Sequence, residues 1–284
     1  METQIDQQEQ IREQQKASWN KFSPGWGKWD EMTMTFLKPY GEEIINLLKP
    51  SGDDVVLDAA AGTGEPGLTI AKMLTGGKVV LTDLSEGMLQ VAADKAKQKG
   101  ITNVETVVSD ICNLPFDDNT FDLISCRMGF MFFPDMHAAA SEMERVLKPG
   151  GKVAISVWGM PENNFWVTSI MGAMKKHIDL PTPPPGAPGM FRCAEPGLMS
   201  NIFKQASFVN VSETELSTKI DVGTAENYWA FMTEVAAPIV GALSQADAET
   251  IEKIKTDLIA SLKEKYPDNK VVFDGSGYIV YGEK

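Results

Sequence analysis

The chain has 284 residues, with 26 Lys and Arg against 39 Asp and Glu, a net charge of −13 and an apolar share of 43%. That length allows one large domain or two modest ones, with enough apolar residues for a sizeable core. No stretch approaches the ~18 uninterrupted apolar residues of a membrane span, and three widely spaced cysteines with two histidines argue against a disulfide framework or a metal site.

Residues 1–10 have neither a basic start nor an apolar run and so do not read as a secretory signal. Residues 1–18 are Gln-rich and read as a solvated or frayed helix start. From Trp19 the composition changes: Trp19, Phe22, Trp26, Trp29, Met32, Met34 and Phe36 crowd together. A short helix follows at 41–49, stopped by Pro50. A regular alternation then begins. Strands are expected at 55–57, 78–82, 104–108, 121–125 and 153–157, with helices at 66–74, 85–99 and 135–147. Lys148-Pro149-Gly150-Gly151 closes the last of these helices. Strands alternating with helices indicate βαβ units and a parallel sheet. Residues 161–192 break the order with Met, aromatics and prolines (Pro181, Pro183, Pro184, Pro185, Pro188), an insertion with a stiff connector. Beyond it, 198–206, 225–243 and 246–265 read as helices and 208–216 as a strand. The strands 270–273 and 278–281 flank Asp274-Gly-Ser-Gly277, which reads as a turn.

Chemistry concentrates where the first strand runs into Asp58-Ala-Ala-Ala-Gly62-Thr-Gly64-Glu-Pro-Gly67. Glycines there let backbone approach a ligand closely, and the helix start that follows favours negative charge. Gly62-x-Gly64-x-x-Gly67 also matches the dinucleotide fingerprint, a weak signal alone. Asp83 ends the second strand 19 positions past Gly64, near the ~20 of an acid that reaches ribose hydroxyls. Asp110 follows the third strand. Asp58, Asp83 and Asp110 thus fall along one carboxyl edge of a parallel sheet, where such sheets bind ligands.

Five segments in order resemble the class I S-adenosylmethionine-dependent methyltransferases: Leu57-Asp-Ala-Ala-Ala-Gly-Thr-Gly64, Val80-Leu-Thr-Asp-Leu-Ser-Glu-Gly-Met88, Ser109-Asp-Ile-Cys-Asn-Leu-Pro-Phe116, Asn119-Thr-Phe-Asp-Leu-Ile124 and Arg145-Val-Leu-Lys-Pro-Gly-Gly-Lys152. The likeness lies nearest the small-molecule branch with the ubiquinone/menaquinone C-methyltransferases (methyltransferase type 11). It implies an α/β fold with a Rossmann-like, seven-stranded, mostly parallel sheet flanked by helices, and S-adenosyl-L-methionine as cofactor. It further implies that Gly62 and Gly64, with Ala59 and Ala60 in the same turn, line the methionine end, and that Asp58 holds the loop and meets the amino group directly or through water. Asp83 would accept both ribose hydroxyls. Leu84 and Met88 would pack on the adenine, although core packing explains them equally. Asp110 would accept from the adenine amine, the Ile111 amide would meet a ring nitrogen, and the backbone at Arg127 would face the methionine amine.

Two rival readings are weighed against this one. A nicotinamide-dependent oxidoreductase would run its strand almost directly into the first glycine, and its Tyr266-x-x-x-Lys270 spacing is broken by Pro267. A non-catalytic scaffold would not need the acids. Ser125-Cys-Arg-Met-Gly-Phe130 is not a motif that stacks a flipped base, and the negative charge disfavours nucleic acid. The aromatic supply suggests a small, largely apolar or aromatic acceptor, with Trp26, Met128, Phe132 and Trp158 as candidate contacts. The expected organisation is an N-terminal helical lid over 1–50 and a methyltransferase domain over 51–284, with lid insertions at about 161–195 and 224–266. No catalytic residue is assigned, since His137 and His177 are equally explained as solvated side chains. A cytoplasmic location, a small-molecule partner and no metal complete the expectation.

Overall fold

Two helices precede the first strand. The computed structural model describes the backbone of residues 4–180, 184 and 186–284, and side chains from Gln8 onward. Most of the proline-rich connector at 181–185 therefore lies outside the described residues. Helix α1 (Gln4–Lys28) continues through Pro24, and α2 (Asp30–Leu48) through Pro39. The short helix expected at 41–49 is thus only the end of α2. Phe36, Leu37, Tyr40, Gly41, Ile44 and Leu48 form one buried stripe of that helix, and this tertiary burial outweighs the local cost of the proline.

The alternation follows: β1 (Val55–Ala59), α3 (Gly67–Met73), β2 (Lys78–Asp83), α4 (Glu86–Gln98), β3 (Val104–Val108), β4 (Phe121–Arg127), α5 (Met136–Val146) and β5 (Leu147–Trp158). Local chemistry sets the helix starts. Ser85 Oγ accepts the Met88 amide at 3.1 Å to cap α4, and the Asp135 carboxylate accepts the amides of His137 and Ala138 to cap α5. Strand β5 begins directly at Leu147, so Lys148-Pro149-Gly150-Gly151 forms an irregular entry to the strand, not a separate turn.

Beyond β5 come α6 (Phe165–Lys175), α7 (Leu198–Gln205), β6 (Val209–Gly223), α8 (Ala225–Val235), α9 (Ala237–Leu243), α10 (Ala248–Lys265) and β7 (Val271–Glu283). The single helix expected at 225–243 is two helices. Ala236 adopts an extended conformation and α9 restarts with Pro238 in its first turn, where its missing amide costs nothing.

The turn expected at Asp274–Gly277 is absent. Strand β7 runs straight through it, paired with β5 on one side and β6 on the other, where Lys219 opposes Asp274 and Leu216 opposes Gly277. A Cβ at Gly277 would lie 2.7 Å from Tyr40 Cε1 and 2.7 Å from the Val157 carbonyl oxygen. This glycine therefore marks a close approach of α2 and β5 to the strand, not a reversal of the chain.

The sheet order is β3-β2-β1-β4-β5-β7-β6, and β7 alone runs against the others. Alternate residues of β1 and β2 bury on opposite faces. Leu57, Ala59 and Val80 join one apolar cluster, while Val56, Val79 and Leu81 join the other, as expected of strands covered on both sides. The order reverses between β1 and β4, which opens a crevice at their carboxyl ends.

Candidate functional site

A cavity of about 970 Å³, its open mouth included, sits at that crevice. Its floor comes from the segments leaving β1, β2, β3 and β4. Its roof is α1, which contributes Gln15, Trp19 and Trp26.

Ala60, Gly62, Asp83, Leu84, Met88, Asp110, Ile111 and Arg127 all line this space. Gly62 has φ +54° and nothing within 4 Å of where a Cβ would stand, so backbone is open to a ligand there. Ala60 and Met128, both lining residues, also hold left-handed φ values of 51° and 58°. Such strain in non-glycine residues is sparsely populated and concentrates at ligand sites.

Asp83 Oδ2 accepts the Gly62 amide and its Oδ1 the Ser85 amide, each at 2.9 Å. These bonds tie the second strand to the glycine turn and leave further lone pairs on both oxygens. Burial raises its pKa, and the amides of Ser85, Gly62 and Leu84 oppose that rise. Asp110 Oδ1 accepts the Cys112 amide at 3.0 Å. Asp110 Oδ2 lies 2.7 Å from Arg12 Nε, yet the pair is not aligned for a hydrogen bond, and neither atom has another partner. Ser109 Oγ, beside them on the cavity wall, is likewise buried without a partner.

Asp58, Ala59 and Gly64 lie outside the lining. Asp58 is fully buried, with Oδ2 accepting the Gly67 amide at 2.9 Å and Oδ1 the Ser125 hydroxyl at 2.7 Å. It braces the glycine turn from behind. Burial pushes its pKa up to about 6, against the pull of Ser125, Gly67 and the Arg127 charge. Of the candidate acceptor contacts, Trp26, Met128 and Phe132 line the cavity, whereas Trp158 does not. Trp158 packs in the core, 5.7 Å from the Tyr40 ring and 5.0 Å from Trp166. Strand β5 is covered by α2 and α6 at that point, so its last side chain turns into the core.

Both histidines are exposed and neither lines the cavity; His177 Nε2 instead meets Asp257 at 2.9 Å. Among the described residues no group of three His, Cys, Asp or Glu side chains is placed to hold a metal ion.

Sequence reasoning missed the role of residues 8–20. They do not fray: Gln8 Nε2 donates to Asp135, Arg12 pairs with Asp110, and Asn20 Oδ1 accepts from Ser85 Oγ and the Gly87 amide. Arg12, a base set in a Gln- and Glu-rich run, was an available signal.

A methyltransferase-domain family model matches residues 56–151, the stretch that builds this floor. Residues 56–151 are thus similar to methyltransferase domains. The chain is 41% identical over 114 residues to a ubiquinone/menaquinone biosynthesis C-methyltransferase of Teredinibacter turnerae, covering 39% of this chain and 46% of that protein. It is 31% identical over 145 residues to a demethylmenaquinone methyltransferase of Bacteroides fragilis, covering 50% of this chain and 59% of the relative. The chain thus spans about half the length of the curated relatives it matches. Among solved structures, the YcgJ protein from Bacillus subtilis superposes with a TM-score of 0.58 at 18% identity, over 87% of this chain and 98% of that one. A methyltransferase-like protein of Bacillus halodurans gives 0.56 at 22% identity over 86% and 98%. Both share the fold of this chain. No helix among the described residues is long and apolar enough to cross a membrane.

Proposed function

We propose that the protein moves a methyl group from S-adenosylmethionine to a small aromatic or largely apolar acceptor held beneath α1. One observation carries the reading: the open glycine turn and two carboxylates with spare acceptor capacity converge on a single cavity at the sheet's switch point. Those features suit the group. Asp83 offers lone pairs to a ribose diol, a bidentate contact that favours a carboxylate. Leu84, Met88 and Ile111 form an apolar bed for a planar base, with Asp110 at its rim as acceptor for an exocyclic amine. Open backbone at Gly62 admits the amino-acid tail. Asp58, fully buried and outside the cavity lining, holds that turn in shape from behind.

When bound, the cofactor supplies an activated methyl group on a sulfonium, so the chain's task is alignment and exclusion of water. Trp19, Trp26, Phe132 and Met128 would position the acceptor and keep the space dry. No histidine stands by to remove a proton, which favours an acceptor already acidic at its reacting atom. The relatives named as quinone-pathway C-methyltransferases support a quinol-like ring as that acceptor.

Calorimetry of the purified protein with S-adenosylmethionine and with NAD tests the first half. Binding of the nicotinamide cofactor alone overturns the reading. Transfer of labelled methyl to demethylmenaquinol, with a metabolite extract beside it, tests the second half.

A further inference from the structure

Gln8, Arg12, Gln15 and Trp19 follow one another along α1 at alternating steps of four and three residues, so they share one face of the helix. On either side of Gln15 that face meets the floor. Gln8 donates to Asp135, Arg12 lies 2.7 Å from Asp110, and the Trp19 ring stands 5.2 Å from Phe132. At about 1.5 Å of rise per residue, Gln15 sits roughly 4.5 Å along the axis from Arg12 and roughly 6 Å from Trp19. It lines the cavity and stands between the Asp110 rim and the Phe132 wall. It is half-buried, and among the described residues nothing exchanges a hydrogen bond with its amide.

Other polar side chains of the wall are engaged. Thr63 donates to Asp30, Thr82 donates to the Asp58 carbonyl, and Glu65 accepts from Thr69 and Lys99. Ser109 lies with Asp110 at the nucleoside end, and Arg127 Nη1 donates to Met34. Past Gln15 the cavity turns to Trp19, Trp26, Met128 and Phe132, and the Trp26 Nε1 is buried out of reach. A ring oxygen carried into such a wall loses its water and needs one placed polar group in exchange. A carboxamide both donates and accepts, so it meets a hydroxyl or a carbonyl equally well. We propose that Gln15 binds the ring oxygen of an aromatic acceptor and so selects oxygen-bearing rings over plain hydrocarbon. The cofactor's base does not need it, because on the proposed function Asp110 and the Ile111 amide serve that edge. The role of Gln15 rests on the aromatic acceptor proposed above and adds the polar group by which it is held.

The probes are 1-naphthol and naphthalene, which differ by one hydroxyl. Equilibrium dialysis against the S-adenosylhomocysteine complexes of wild type and Gln15→Met gives four dissociation constants that form a cycle. Methionine keeps the length and the helix propensity of glutamine. The preference for naphthol over naphthalene should shrink by about 3- to 10-fold in Gln15→Met, the worth of one neutral hydrogen bond. Naphthalene and S-adenosylhomocysteine should bind as in wild type. Gln15→Ala should show the same loss of preference, and it carries the test if the Met variant fails to fold. An unchanged preference overturns the proposal and leaves the Trp19 indole as the donor. Weaker S-adenosylhomocysteine binding with the preference unchanged also overturns it, by moving Gln15 to the nucleoside end. Wild type that holds S-adenosylhomocysteine but neither ring refutes the aromatic acceptor, and this proposal with it. Wild type that does not bind S-adenosylhomocysteine refutes the methyltransferase reading itself, a result distinct from the others.

Discussion

Arg12 Nε of α1 lies 2.7 Å from Asp110 Oδ2, two residues past the end of β3, so a charge pair joins the roof of the cavity to its floor. Gln8 to Asp135 and Asn20 to Ser85 and Gly87 hold the same helix down on either side. Asp110 is also the residue proposed to receive the adenine amine, so the roof contact and the ligand contact share one carboxylate. The Arg12 and Asp110 side chains are 29% and 15% exposed, and pairs with that much solvent contribute only about 0–1 kcal/mol. Arg12→Ala should therefore leave the fold intact while loosening α1. Cofactor association and dissociation should both speed up several-fold, followed by stopped-flow fluorescence of Trp19 and Trp26. Rates identical to wild type would show that the pair does not hold the roof.

Asp83 binds the glycine turn and, on the proposed function, the ribose as well. Asp83→Asn keeps the size of the side chain but loses the charge and one acceptor. The affinity for S-adenosylmethionine should fall by roughly 10- to 100-fold, about 1.5–3 kcal/mol for a hydrogen bond to a charged group. Calorimetry measures this directly, and unchanged binding removes Asp83 from the site.

Asp58 links the cavity's support to pH. Its carboxyl titrates at about 6 in the folded chain because burial penalises the charge, against an ordinary value near 3.9 in the unfolded chain. Between those values the folded state holds more protons than the unfolded one, so this residue's contribution to stability falls as pH rises. Asp58→Asn keeps an acceptor for Gly67 and a donor for Ser125, and it should remove that fall. The stability of the variant relative to wild type should rise by roughly 2 kcal/mol from pH 4 to pH 7, most of the full shift at about 1.36 kcal/mol per unit. Urea titrations at both values measure the difference. A constant gap between the two proteins would mean that Asp58 titrates normally.

The floor of the site was legible in the sequence and its roof was not, and the reason is physical. Asp58, Gly62, Asp83 and Asp110 sit at ends of strands whose apolar runs and turn residues are local signals, so their shared edge follows from the βαβ rule alone. The roof depends on tertiary contacts. Helix α1 contains Pro24, Gly25 and Gly27, which locally oppose a helix. Yet a Cβ on Gly25 would fall 2.3 Å from the Glu234 carbonyl oxygen, so the glycine is what lets α1 lie against the end of α8. The glycines of β7 misled in the same way: Gly277 reads as turn chemistry, but the close approach of Tyr40 explains it. Nothing local reveals either neighbour.

Trp158 and Phe132 separate fold from function. Both were candidate acceptor contacts at strand ends, but Trp158 is 4% exposed between Tyr40 and Trp166, whereas Phe132 lines the cavity with its ring 5.2 Å from Trp19. Trp158→Ala removes a core indole and should destabilise the protein by about 3–5 kcal/mol. Methyl transfer per folded molecule should change little. Phe132→Ala empties a wall that faces ligand, so its melting temperature should stay near wild type. Its KM for the acceptor should rise about 10-fold or more, the transfer energy of an aromatic wall, while S-adenosylmethionine affinity holds. Thermal melts and labelled-methyl assays on the two variants measure both quantities. If Phe132→Ala instead weakens cofactor and acceptor equally, the wall belongs to the nucleoside end, and the acceptor must enter from the Met128 side.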